Sequence, residues 1–572
     1  MRRVLLLVSV LLPLQMSSQT YDEIGAMMKI AGVSDPEEMD SEEVERLSHY
    51  LQNPMQINTS SISDLQDCGL FSAYQSASLI DYRSRHGDIR SFMELAAIDG
   101  FGTGFVEAIR SFVSLDVPDG TKGETRGGHV RHDLAARAGG RSGEEYMYGV
   151  KYRVDAGKFR VSVSGSRSYS SKEAYPSYVS GNVSWTHSHG RVVAGDFNAR
   201  FGQGLCMWNT AVIGGLTSPS AFMKKPSGVS PTYSFTGSSA LTGVAGEISV
   251  GKWKGSLMLV MPGIKDIRSE SENVNMMPVF NLMRTGRYGH VSLTHLMSFS
   301  DCFSADYRIP QMKTSVDASV CIRGVNLFGE SAYDWVNGVL AAVCGTDMMV
   351  SETVRVAALV RYCPAKGFSN EHGLAASAEM NLKKLSGNIS ADVCHYPESK
   401  AADDPRSIQM KVQSNLDYRP NDILELKFRV SERFRTWGRK FRTDCRAESL
   451  ITLPPLHGAL RLNVLKCVSL GYLGYLEVGY RKGSVTSYLR AGIFVVDDWN
   501  DRIYVYERDA PGSFNVPAFY GRGYWLAFNA SWHPVRWCRL YMRMAWTDYP
   551  FMSNEKRKPG RAELKFHAVF RL

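Results

Sequence analysis

The sequence predicts a multidomain chain, a small all-α head followed by a large antiparallel transmembrane β-barrel, and three observations carry that prediction. From Gly128 onward, stretches of about ten residues alternate apolar and polar side chains between clusters of Gly, Pro, Asn, Asp and Ser. The links between these stretches are short and long in turn, as turns on one side of a membrane and loops on the other require. The only long apolar run lies at the N-terminus. A mean hydropathy of -0.20 with 44% hydrophobic residues fits neither a helical membrane protein nor a disordered chain.

The N-terminal run reads as a secretory signal peptide over residues 1–18. Arg2 and Arg3 precede Val4 to Leu14, and the small polar Ser17 and Ser18 mark a cut near Gln19. The apolar stretch is too short to span a bilayer. No Cys near the cut offers a lipid anchor.

Residues 19–56 form an acidic helical segment. Asp35, Pro36, Glu37 and Glu38 have the order of a helix start, with a capping side chain, Pro in the first turn and acids against the dipole. Charge is unevenly divided along the chain. Tyr21 to Asp116 holds 17 acidic and 6 basic residues, a balance of -11. The whole chain is +9 and the signal contributes +2, so everything from Val117 onward carries +18. Lipid excludes charge, so those Arg and Lys are expected in the lumen, the loops and the rims. Anionic solutes or surface lipopolysaccharide would suit such a wall, although its cations could also pair with local Asp and Glu.

Residues 57–115 contain two related copies. Ile57, Asn58, Thr59 and Ser60 lead to Leu65, Cys68, Gly69 and Leu70, then to Ala77, Leu79, Ile80, Asp81, Tyr82 and Arg83. Ser91 and Glu94 have capping-box spacing before Leu95 and Ile98. The second copy continues through Asp99, Gly100, Phe101 and Gly102 to Val106, Ala108 and Ile109. This spacing resembles the tandem helix-hairpin-helix module of ComEA-like competence DNA receptors. The resemblance implies sequence-blind contact with a sugar-phosphate backbone through amides opened by the glycine turns. It points to Gly69 and Ser72 in the first copy and to Gly100, Gly102, Thr103 and Gly104 in the second. Arg83, Arg85, Arg90 and Arg110 are the neighbouring cations. Two departures stand against it: Phe71 replaces the second hairpin glycine of the first copy, and residues 57–113 hold 7 acidic against 4 basic side chains. Residues 116–128, rich in Gly, Asp, Lys and Thr, read as a flexible linker.

Residues 129–572 are the barrel. Leu564, Phe566, Ala568, Phe570 and Leu572 alternate with Lys565, His567, Val569 and Arg571. Leu424, Leu426, Phe428 and Val430 alternate with Glu425, Lys427, Arg429 and Ser431, and the apolar run Val354 to Tyr362 encloses Arg355 and Arg361. Along Tyr472, Gly474, Leu476, Val478 and Tyr480 the two phenols sit where interfaces about 25 Å apart would want them. Tight turns are expected at Asp155 to Gly157, His187 to Gly190, Val250 to Lys252, Lys384 to Ser386, Arg419 to Asn421, Pro454 and Pro455, Arg481 to Gly483, and His533 and Pro534. Loops are expected near Gly139 and Lys172 and over 206–236, 263–285, 497–517 and 549–559; 302–318 is left unassigned. The count is about 22 strands, with 20–24 allowed because bacterial barrels take even numbers.

Gly195, Asp196, Phe197, Asn198, Ala199, Arg200, Phe201, Gly202, Gln203, Gly204 and Leu205 resemble a motif of predicted outer-membrane proteins that join an acidic helix-hairpin-helix head to a large barrel. Its three glycines fit either a bend that folds the next loop inward or an ordinary strand end. Ten Cys show no CxxC pair and no zinc-ligand spacing, so they read as structural, with no metal and no cofactor expected. His187 and His189 read as a polar turn, and Asp497, Asp498 and Asp501 as a charged loop tip. No GxSxG or other catalytic constellation marks an enzyme. Three functions follow for an outer-membrane protein with its head in the periplasm. The head captures DNA for binding or uptake; the acidic head docks a periplasmic protein or plugs its own barrel; or the barrel is a porin or transporter for anionic solutes. Outer-membrane lipid is the expected neighbour, and oligomeric state stays open.

Overall fold

A computed structural model describes residues 23–572, apart from 34–35, 40, 53, 61–63, 66–67, 99, 117–129, 188, 210–215, 237–238, 262–275, 287, 301–307, 401–406, 511, 536 and 553–558. The signal peptide and nearly all of the linker lie outside the described residues.

Val130 to Arg571 form one closed antiparallel barrel of 24 strands, here β1 (Val130–Arg141) to β24 (Arg561–Arg571). The last strand pairs with the first from Glu563 opposite Arg141 to Arg571 opposite Asp133, so no edge is left unpaired. Twenty-four replaces the expected count of about 22. Met277–Thr285, expected inside a loop, is β8, and Arg308–Ile322 in the unassigned stretch is β10. His533 and Pro534 lie within β22 (Gly521–Val535), not at its turn, and Gly139 lies within β1. The links 157–158, 251–252, 323–324 and 483–484 are tight, while 201–240 and 497–520 on the opposite rim are long.

Alternation becomes two chemically opposite faces. Along β20 (Leu470–Lys482), Tyr472, Leu476, Val478 and Tyr480 point outward while Leu473, Tyr475, Glu477 and Gly479 are buried. Leu257, Leu462 and Leu476 are 65%, 56% and 56% exposed, and such side chains recur right round the exterior. Each would cost about 1.5–3 kcal/mol if held in water, and hydrocarbon removes that cost, so this is a membrane-spanning surface. The inner face buries charge instead: Arg191, Lys254, Lys313, Glu330, Arg490 and Arg543. Many of these cations pair locally, as Arg490 does with Glu477 at 2.6 Å and Arg543 with Glu507 and Glu563. The nine described Cys are all free thiols.

The head consists of short helices, α1 (Glu23–Ala31), α2 (Ser41–Gln52), α3 (Ala73–His86), α4 (Phe92–Ala96) and α5 (Gly102–Ile109), around a core that includes Leu47, Ile57, Leu65, Leu79 and Phe112. Pro36–Glu38 is a single 3-10 turn rather than the start of a helix. Ser91 Oγ accepts from the Glu94 amide at 3.1 Å, but Glu94 reaches back to the Arg90 amide, one residue beyond a regular capping box.

Candidate functional site: the head inside the barrel

The head does not stand beyond the barrel, as a periplasmic head would, but within it. Its contacts reach inward side chains on well-separated walls. Glu45 on α2 pairs with Lys151 of β2 (Met147–Ala156). Glu37 pairs with Arg461 of β19 (Leu456–Lys466) at 2.8 Å and Arg446 of β18 (Phe441–Leu453) at 3.3 Å. Glu38 pairs with Lys411 of β16 (Ser407–Tyr418) at 3.1 Å. Helix α3 lies against β8 and β9 (Gly289–Ser300). A body touching β2, β8, β9, β16, β18 and β19 at once is surrounded by the wall.

Two long loops fold inward and hold it there. The chain leaves β5 (Gly190–Arg200) through the glycine motif, where Gly202 and Gly204 adopt φ of +58° and +86°. Amides of Gln203, Leu205 and Cys206 then converge on the Glu330 carboxylate of β11 (Val325–Asp334) at 2.7, 3.0 and 3.3 Å. Phe201, Cys206 and Met207 cover an apolar lumen patch of Val193, Phe197, Met258, Val279 and Leu296. Phe222 packs on a second patch with Phe328 and Leu359. The motif is therefore an inward fold, the first of its two readings. From this loop Ser234 Oγ donates to Glu45 at 2.6 Å, and Lys225 Nζ donates to the Leu70 carbonyl at 3.3 Å. The second loop, 497–520, places Tyr506 and Phe514 on the core of the head, and the Tyr506 amide donates to Glu37 at 2.9 Å.

Burial sets the electrostatics. The His49 imidazole lies well below its usual range because burial, then Arg153, Arg571, Lys151 and Arg160, disfavour its cation, so it stays neutral. The Lys225 ammonium is partly buried, and that burial, reinforced by Arg355 and Arg46, pushes it down to about 8. Burial, then Glu330, pushes the Cys206 thiol up to about 12, which keeps it inert.

The residues singled out by the glycine turns are gathered only in part. Gly69, Gly100 and Gly102 adopt φ of +66°, +87° and +68°, and Phe71 meets Phe101 at 5.8 Å between ring centroids. Ser72 caps α3: its hydroxyl accepts from the Gln75 amide at 3.1 Å, and Gln75 Nε2 donates to the Gly100 carbonyl at 2.8 Å. The Arg46 guanidinium fills the place a Cβ would take at Gly69 and donates to the Cys68 carbonyl at 2.5 Å. Gly102 to Gly104, with Thr103 between them, form the first turn of α5, and the space over Gly102 is open. Three of the arginines engage partners of their own through their side chains. Arg83 donates to the Ser60 carbonyl at 2.6 Å, and Arg85 pairs with Asp81 at 2.8 Å. Arg110 lies over the Phe92 ring and 3.9 Å from Glu107, while the Arg90 amide donates to Glu94 at 2.9 Å.

Other singled-out side chains have structural partners. Asp501 is buried and accepts from the amides of Cys467, Val468 and Ser469 and from the Ser469 hydroxyl. Burial opposes its charge, yet these bonds hold its carboxyl below the ordinary range. Asp497 pairs with Arg522 at 2.7 Å and Asp498 caps Asn500. His187 and His189 stack at 6.0 Å beside their short turn. The functional residues missed from the sequence are Glu37, Glu38 and Glu45 with their barrel partners; only the charge division between head and barrel signalled them.

No family model matches the chain, and no curated protein matches it. Solved structures resemble it distantly. The FrpB iron transporter from Neisseria meningitidis (F3-3 variant) aligns at TM-score 0.36 and 8% identity, covering 77% of this chain and 82% of that one. The copper transporter OprC aligns at TM-score 0.39 and 9% identity, covering 78% and 81%. The translocation pore of the P pilus usher PapC aligns at TM-score 0.36 and 7% identity, covering 77% and 99%.

Proposed function

We propose that this chain is an outer-membrane transporter for anionic solutes whose acidic N-terminal head is the plug of its own basic barrel. The observation that carries this reading is the seating of Glu37, Glu38 and Glu45 on lumen cations of four different strands. A signal peptide followed by an even-stranded barrel with an apolar exterior supports the outer membrane as its location. A head joined to the barrel at Val130, on the short-turn rim, is in position to enter from the periplasmic side. Opening then means breaking these ion pairs together with the loop contacts of Ser234, Lys225, Tyr506 and Phe514.

Single-channel conductance tests it. The full chain is expected to stay closed, whereas the double reversal Glu37→Lys/Glu38→Lys, which sets cation against cation, is expected to conduct. A reversal variant that folds and inserts but never conducts would refute the plug.

A second reading, DNA capture by the helix-hairpin-helix-like head, is favoured by one feature, the open space over Gly102 at the start of α5. It requires the head to leave the lumen. A gel shift of duplex and single-stranded DNA at low salt decides it, since phosphate contacts are strongest there. The wild type and the reversal variant giving no shift would end this reading.

A further inference from the structure

The wall of β17 (Leu424–Arg435) and β18 sets like charges directly opposite one another: Arg429 faces Arg446 and Arg433 faces Arg442. Like charges in such register repel; Glu37 offsets the first pair through Arg446, which leaves the second as the uncompensated end of the ladder. At the end of this ladder is a cavity of about 200 Å³ lined by Arg433, Arg435, Arg439, Arg442 and Arg502, with Trp437, Gly438, Cys467 and Asn500. Among the described residues no carboxylate lines it. Arg442 is aimed by donating to the backbone carbonyls of Asn500 and Arg502 at 3.1 and 3.2 Å, which fix it without neutralising it. Arg435 is held by Gln409 at 2.6 Å and Arg502 by the Tyr504 hydroxyl at 2.7 Å, again by neutral groups. Arg433 meets no carboxylate among the described residues, and its Nε is buried without a partner.

We infer that this cavity is a binding site for a small soluble polyanion carrying two or more phosphate groups. Planar guanidinium forks recognise phosphate oxygens in pairs, and five around one volume match several oxygens at once. Arg439 belongs to the link 436–440 on the long-loop rim, so the site opens towards the mouth on that side. A neighbouring cavity of about 300 Å³ shares Arg433, Arg442 and Arg502 and is lined also by Glu37, Glu38 and Asp444. A polyanion in the first cavity therefore sits beside the carboxylates that seat the head and competes with them for the same ladder. The role as a transport substrate rests on the transporter reading; the binding chemistry does not.

The test is calorimetric titration of the detergent-solubilised full chain with inorganic pyrophosphate at low salt. Saturable binding is expected, weakened at least tenfold by Arg433→Gln. That substitution removes a repelled, carboxylate-free cation, so the fold and heat resistance should be retained. Lys383→Gln, at the opposite rim, should bind as the wild type does. Absence of saturable pyrophosphate binding, or equal binding by R433Q and K383Q, overturns the proposal. So does saturation by lipopolysaccharide vesicles alone, which would assign the site to membrane phosphates. Pyrophosphate binding by the wild type with no conductance from the E37K/E38K variant would refute the transporter reading and leave this site standing; conductance from that variant with no binding by the wild type would do the reverse.

Discussion

Glu37 ties the head to two strands and a loop at once, through Arg461, Arg446 and the Tyr506 amide. Glu37→Gln leaves two buried guanidinium groups short of a counter-charge. Head seating is expected to weaken by about 2–4 kcal/mol, read as faster hydrogen exchange of the α1 and α2 amides. Lys225 makes a prediction about pH. Its folded value, about 8, lies below its unfolded one, so between these the unfolded or undocked state binds the extra proton. Stability therefore rises with pH from about 8 towards 10, by at most about 1.4 kcal/mol per pH unit for one proton. Exchange protection of the head should grow over that window in the wild type, and Lys225→Met should flatten the slope. Neither residue was legible as a partner. Glu37 read as a helix-start acid because its sequence neighbours suit one, whereas its contacts lie more than 400 positions away and leave no local signature.

Elements were legible where alternation was unbroken, and the misplaced ones share a cause. Each contains a Pro, which cannot donate to a ladder: Pro534 of β22 stood in an expected turn, Pro278 of β8 in the expected loop 263–285 and Pro310 of β10 in the unassigned 302–318. The barrel places them near strand ends, and two of the three sites are irregular: register shifts fall between Ser298 and Ser300 opposite Pro310, and between Trp532 and Val535 around Pro534. The glycine motif was legible as special, but an inward fold could not be told from an ordinary strand end, since the apolar patches it covers come from distant strands. Gly195 is its most constrained point, at φ +106° with a Cβ there overlapping the Gly181 carbonyl oxygen. Gly195→Ala is expected to cost at least about 2–3 kcal/mol and to reduce the heat-resistant folded band on unheated gels.

For the whole molecule, the opposite charges of head and barrel made a self-plugged barrel one of the readings open from the sequence; where the two meet needed the register of 24 strands. Their ion pairs are sheltered, so salt reaches them poorly. Raising ionic strength from 0.1 to 1 M shortens the screening length from about 10 to 3 Å, yet the closed state should persist in conductance records where the E37K/E38K variant opens. One further consequence belongs to the seam between β1 and β24. That junction joins residues more than 400 positions apart and closes a ring whose interior is already occupied. The cylinder must zip shut around its cargo, or the cargo must thread a finished mouth. Either order leaves the acidic body enclosed by cationic staves on β2, β16, β18 and β19.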